Sequence, residues 1–137
     1  MTTARQRQMS TIGKSGCYFL AMVRAAEDLV GHRIDAVEVY ETVTTHKFMD
    51  TDCYVTDAAA VMNVLTGKHW AVRHDKVNYK PANGEIMIMR YERQGTGVLF
   101  SHFVLCNADG TINYDPYGDS ITVRDGKAVS SRIFTPL

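Results

Sequence analysis

At 137 residues, with 45% hydrophobic and 22% charged side chains, the chain has the length and composition of one globular domain rather than two. Fifteen basic residues balance fifteen acidic ones, which argues against a nucleic-acid binder acting through bulk charge, because a phosphate footprint shows as a basic excess. Three cysteines, Cys17, Cys53 and Cys106, form no Cys-x-x-Cys pair and leave an odd thiol under any disulfide scheme, so a reducing, cytoplasmic setting is expected instead of a secreted scaffold.

The first eight residues, Met1 to Gln8, are polar and lack the apolar core of a secretory signal. The apolar run from Cys17 to Val23 is far shorter than the roughly 20 residues that span a bilayer, so no membrane association is expected. Ser15-Gly16 before Cys17-Tyr18-Phe19-Leu20-Ala21-Met22-Val23 reads as a helix start with Ser15 as N-cap, and the helix stops at Gly31. Its first two turns are apolar on nearly every face, which predicts a central position. A second helix is expected from Asp35, through Val37, Val39, Tyr40 and Val43. A third is expected from about Asp57 to Leu65, ending near Gly67.

After Lys68 the pattern becomes extended. Strands are expected at Trp70–Arg73, Glu85–Tyr91, Val98–Cys106, Thr111–Tyr114, Ile121–Arg124 and Ala128–Phe134, separated by Gly- and Asn-rich turns. Asp125-Gly126 is the clearest tight-hairpin signal, and the strands near Ile121 and Ile133 could form an edge that pairs with another copy. Helices followed by an antiparallel sheet give an α+β fold.

Cys17 follows a glycine in the first turn of a predicted buried helix, where unpaired N–H groups and the helix dipole favour a thiolate; as a small apolar residue it is also an ordinary core position. His102 stands alone in the apolar strand Ser101-His102-Phe103-Val104-Leu105, and Asp115 follows the next strand in Tyr114-Asp115-Pro116. Together the three supply a nucleophile, a base and a group that fixes the base's tautomer. Two hairpin registers are open. A two-residue loop puts His102 opposite Asp115 on one face. A type I turn with a left-handed Gly110 pairs Asn107 with Thr111 and separates the side chains, unless a further bulge restores the phase. Cys53 and Cys106 read as buried apolar thiols, Asp50, Asp52 and Asp57 as a solvated loop, and the scattered histidines as no metal site. No cofactor is expected.

Gly-Cys opening a central helix, His-Phe-Val-Leu on a distant strand and Tyr-Asp-Pro after a hairpin resemble papain-like cysteine peptidases, nearest to the small bacterial branch of double-glycine leader peptidase domains. The resemblance runs from about Gln8 to Gly118. It implies a papain-like fold in a bacterial or phage protein, with Cys17 as nucleophile, His102 as general base and acid, and Asp115 as the orienting residue. Such peptidases carry an oxyanion-stabilising glutamine about six residues before the cysteine; here that position is Thr11, and Gln8 is the nearest candidate. The expected activity is hydrolysis of a peptide or isopeptide bond in a peptide or protein substrate through an acyl-enzyme. The alternatives are a catalytically silent module binding a peptide, protein or small ligand in the same groove, and a thiol acyltransferase.

Overall fold

The computed structural model describes residues 3–137; Met1 and Thr2, the start of the polar stretch, lie outside the described residues. Five helices pack on one five-stranded sheet: α1 (Ala4–Ser15), α2 (Cys17–Val30), α3 (Ala36–Thr45), α4 (Ala58–Thr66), β1 (Trp70–Asp75), β2 (Ile86–Gln94), β3 (Leu99–Cys106), β4 (Ile112–Tyr114), α5 (Ile121–Asp125) and β5 (Lys127–Pro136). The α+β class follows directly. Among the described residues no helix is long and apolar enough to cross a membrane.

α2 is the central helix its apolar sequence predicts: Phe19, Ala21, Met22 and Ala26 are fully buried, and a large side chain so placed stabilises the fold by roughly 1.5–3 kcal/mol. α1 occupies the polar stretch where no helix was expected. A capping box starts it: the Thr3 side chain accepts from the Gln6 N–H at 3.1 Å, and Gln6 Oε1 accepts from the Thr3 N–H at 2.8 Å. Only Gly16 separates α1 from α2, and it serves both helices, donating its N–H to Ile12 O at 2.8 Å and accepting from Leu20 N at 2.7 Å. The N-cap of α2 is therefore Gly16 and not Ser15. α3 starts where expected, with the Asp35 carboxylate accepting from the Val37 and Glu38 N–H groups, and α4 is capped by Asp57 in the same way.

The strands lie in the order β1-β5-β2-β3-β4, and each pairing is antiparallel. One face, with Trp70, Ile88, Leu105 and Phe134, packs on the α2 and α4 core. The other carries Met87, Met89, Val104, Cys106 and Ile133, with Tyr79, Tyr91 and Val123 packed against them.

Three expectations fail in the last quarter of the chain. Ile121–Asp125 is one helical turn, because β5 already occupies the place beside β2, and the turn drops Val123 onto the second face of the sheet. Gly126 does not make a hairpin turn; a Cβ there would lie 2.2 Å from the Glu92 carbonyl oxygen, so the glycine is needed for close backbone approach. Ile133 likewise is no edge residue: β5 lies between β1 and β2 and Ile133 is fully buried.

The long connection between β1 and β2 is tied down by Glu85, whose carboxylate accepts from the Tyr79 hydroxyl at 2.6 Å, the Thr135 hydroxyl at 2.7 Å and the Ala82 N–H at 2.8 Å. These donors, Tyr79 first, hold its carboxyl down at about 2. A depressed carboxylate contributes stability that is complete above its unfolded value, about 4.3, and is lost as the pH falls through the folded value. The melting temperature should therefore drop between about pH 4.5 and 2, and Glu85→Gln should lower it at neutral pH while flattening that acid limb. A Cβ on Gly16 would lie 2.5 Å from Ile12 O; Gly16→Ala should cost about 1–3 kcal/mol in denaturant unfolding.

Candidate active site

The hairpin between β3 and β4 takes the second of the two registers. Asn107 N–H donates to Thr111 O at 2.8 Å and Gly110 has a φ of 90°. The register then shifts, so that Cys106 pairs with Ile112 but Leu105 pairs with Tyr114. That extra residue in β4 is the bulge that restores the phase. Carried one step past Tyr114, the register puts Asp115 on the same face as Val104, diagonal to His102.

The consequence is a buried hydrogen-bonded pair. His102 is 1% exposed, and its Nε2 lies 2.6 Å from Oδ1 of Asp115, whose side chain is 8% exposed. The same carboxylate oxygen accepts the Tyr117 N–H at 2.9 Å. With Nε2–H donated to a carboxylate, the neutral imidazole keeps its lone pair on Nδ1. Nδ1 is buried and has no hydrogen-bond partner among the described residues.

Tyr117, read from sequence only as part of a turn, completes this arrangement. Its ring stacks on His102 with centroids 4.5 Å apart, and its hydroxyl donates to the Lys14 carbonyl at 2.6 Å. It thus straps the segment after β4 to the end of α1, three residues before Cys17. An aromatic two residues after the acid was the available signal, but a lone Tyr-Gly in a loop carries too little information to single out.

Cys17 opens α2 and is half-buried. Its sulfur lies within hydrogen-bonding reach of the Phe103 backbone N–H, and Asp115 is near enough to act on it electrostatically. Phe103 follows His102, so the sulfur sits at the edge of β3, just past the point where β4 ends. No hydrogen bond joins the thiol to the imidazole, since Nδ1 is unpartnered. The expected thiolate preference does not hold in this arrangement: burial raises the Cys17 thiol, and the N–H groups of Phe103, Tyr18 and Cys17 offset this only in part.

Cys17 lines a cleft of about 840 Å³ between the helices and the sheet, whose lining does not include His102 or Asp115. One wall carries Cys17, Tyr18 and the loop residues Asp52 and Tyr54; the other carries His74, Arg90, Phe103 and Arg132. Cys53 is buried in the core, as expected, and with a left-handed φ of 71° it also lines this cleft. Burial pushes both Cys53 and Cys106 up to about 11. The basic residues of the sheet wall were not singled out from sequence, because they come from three strands and converge only when β5 inserts between β1 and β2.

Gln8 is not brought to Cys17. It is carried on α1, a continuous helix instead of a loop, and lines a separate hollow with Tyr40 and Thr51. Among the described residues, no group of three or more His, Cys, Asp or Glu side chains is placed to hold a metal ion.

Comparisons with curated proteins and with solved structures give no match. A family model described as "Protein of unknown function, DUF261" matches residues 1–136, and the chain belongs to that family.

Proposed function

We propose that the protein is a thiol hydrolase with a papain-like arrangement, cleaving a peptide or isopeptide bond in a peptide or protein substrate. The observation that carries this reading is the buried His102–Asp115 pair, with the unpartnered Nδ1 of its imidazole one residue from the strand amide within reach of the Cys17 sulfur. Most buried polar atoms in a folded protein have a hydrogen-bond partner. His102 has one nitrogen fixed by a carboxylate and the other left with a lone pair.

The chemistry follows from those roles. The Cys17 thiol gives its proton to Nδ1 of His102 as the sulfur attacks the carbonyl carbon. The backbone N–H of Cys17, in the first turn of α2, is the donor nearest to the developing oxyanion. His102 then passes the proton to the leaving amine, the C–N bond breaks, and a thioester remains on Cys17. Water, deprotonated by the same imidazole, adds to the thioester and releases the acid and the thiol. Asp115 and the Tyr117 ring hold the imidazole in the tautomer and orientation these steps need.

One observation favours a second reading. Burial raises the Cys17 thiol, and no hydrogen bond joins it to His102, as expected of a module that binds a peptide in the cleft without cutting it.

Alkylation with limiting iodoacetamide, followed by mass spectrometry, separates the two. An unpaired thiol with a raised pKa loses reactivity about tenfold per pH unit below that pKa. Cys17 should instead stay reactive down to pH 6, should label at least about tenfold faster than Cys53 and Cys106, and should slow in His102→Ala. A tenfold fall per unit from pH 8 to 6, unchanged in His102→Ala, would establish the silent module. On a peptide mixture, Cys17→Ala should abolish cleavage and Asp115→Asn should cut kcat by about 10³–10⁴ through the wrong imidazole tautomer.

A further inference from the structure

The sheet wall of the Cys17 cleft holds more positive charge than its surroundings compensate. Arg132 on β5 lies opposite His74 on β1, and Arg90 stands on the adjacent strand β2; all three line the cleft. Arg90 is already engaged, with Glu92 and with the Ser101 hydroxyl at 2.8 Å. Arg132 is not. One of its terminal nitrogens donates to the Ser130 hydroxyl at 2.8 Å and, at 3.4 Å, to the Ser131 carbonyl, and among the described residues no carboxylate pairs with it.

The guanidinium lies over the Phe103 ring, 5.5 Å from its centroid, and Phe103 is in turn stacked on Tyr18 at 4.4 Å. The aromatic pair, one member of which is the residue that follows Cys17, gives the guanidinium a fixed apolar support. A half-buried cation without a counter-charge is unfavourable, and burial, the largest effect, lowers the Arg132 pKa. The acid on the facing wall is Asp52, an exposed loop residue. A planar guanidinium with free N–H groups is the geometry that takes a carboxylate by two parallel hydrogen bonds.

We infer that the cleft holds its substrate by a carboxylate seated on Arg132, so that the peptide cleaved at Cys17 carries an acidic group close to the scissile bond. This rests on the hydrolase reading and narrows its substrate class. The carboxylate is either an acidic side chain or the free end of a peptide.

Iodoacetate and iodoacetamide provide the test, since they are nearly equal in size, attack the same thiolate and differ in charge. Their rate ratio at Cys17, normalised to that of glutathione, cancels the thiolate fraction and any change in the thiol's pKa. The expected ratio is about tenfold above glutathione, falls as salt rises from about 0.05 to 0.5 M, and drops close to the glutathione value in Arg132→Gln. Arg132→Lys, which keeps the charge, should retain most of the preference and guards against a folding artefact. A wild-type ratio equal to that of glutathione, or one unaffected by Arg132→Gln, overturns the inference. Failure of Cys17 to react with the neutral reagent would instead sink the hydrolase reading, so the two failures are distinct.

Protection of Cys17 from iodoacetamide then identifies the carboxylate's source. Acetyl-diglycine with a free carboxylate, its amide, and an amidated peptide bearing one aspartate side chain are compared. Protection by the first points to a chain end and by the third to an acidic side chain. Equal protection by the neutral amide overturns the inference.

Discussion

β4 stops at Tyr114, and the candidate site exists because it does. A longer β4 would cover the edge of β3 opposite His102 and Phe103 and would pair the Phe103 amide into the ladder. Since it ends, that amide is left for the tip of α2, and the chain after Tyr114 is free to turn Asp115 and Tyr117 back against His102. His102 belongs to the face of the sheet that carries Val104 and Cys106, and Phe103 to the face packed on α2 and α4. Only at an uncovered edge can an imidazole from one face and a helix tip from the other approach the same stretch of strand. The bulge in β4 sets which face Asp115 takes, and a one-residue slip would send it to the wrong side.

The three central helices were legible because their signals are local and redundant. Asp35 and Asp57 are side-chain caps, and the apolar run of α2 leaves no solvent face. α1 was also written in the sequence, as the Thr3–Gln6 capping box, but its hydrophobic pattern is nearly empty: Ile12 is its one buried residue, so periodicity had nothing to show. Ile121–Asp125 departs from its local signal for the opposite reason. Its β-branched residues favour a strand, and the tertiary arrangement overrides them by giving the adjacent slot to β5. No local feature of Val123 or Gly126 announces that.

The site was legible to the same degree. His102 and Asp115 stood out as polar residues in apolar or strand-ending positions, and the structure pairs them. The electrostatics at Cys17 did not follow from position alone. A helix N-terminus lowers a thiol's pKa only while the thiol remains solvated, and here burial outweighs the nearby amides. The arginines of the cleft could not be placed at all before the strand order was known, since Arg90 and Arg132 lie 42 positions apart in sequence and become neighbours only through the crossover.

That crossover also governs when the site can come into being. β5 is the last strand in the chain, yet it joins β1 to β2, so the sheet consists of two unconnected pieces until residues up to Pro136 are free to pair. During synthesis the helices and the β2–β3–β4 meander emerge earlier, while Arg132 and the final seam arrive together. Closing that seam requires the most sequence-distant contacts in the sheet, Trp70 with Pro136 among them, and such contacts form late because loop closure must precede them. The cleft beside Cys17 is therefore incomplete until β5 has paired on both sides; only then do His74 and Arg132 join Arg90 and Phe103 in its sheet wall.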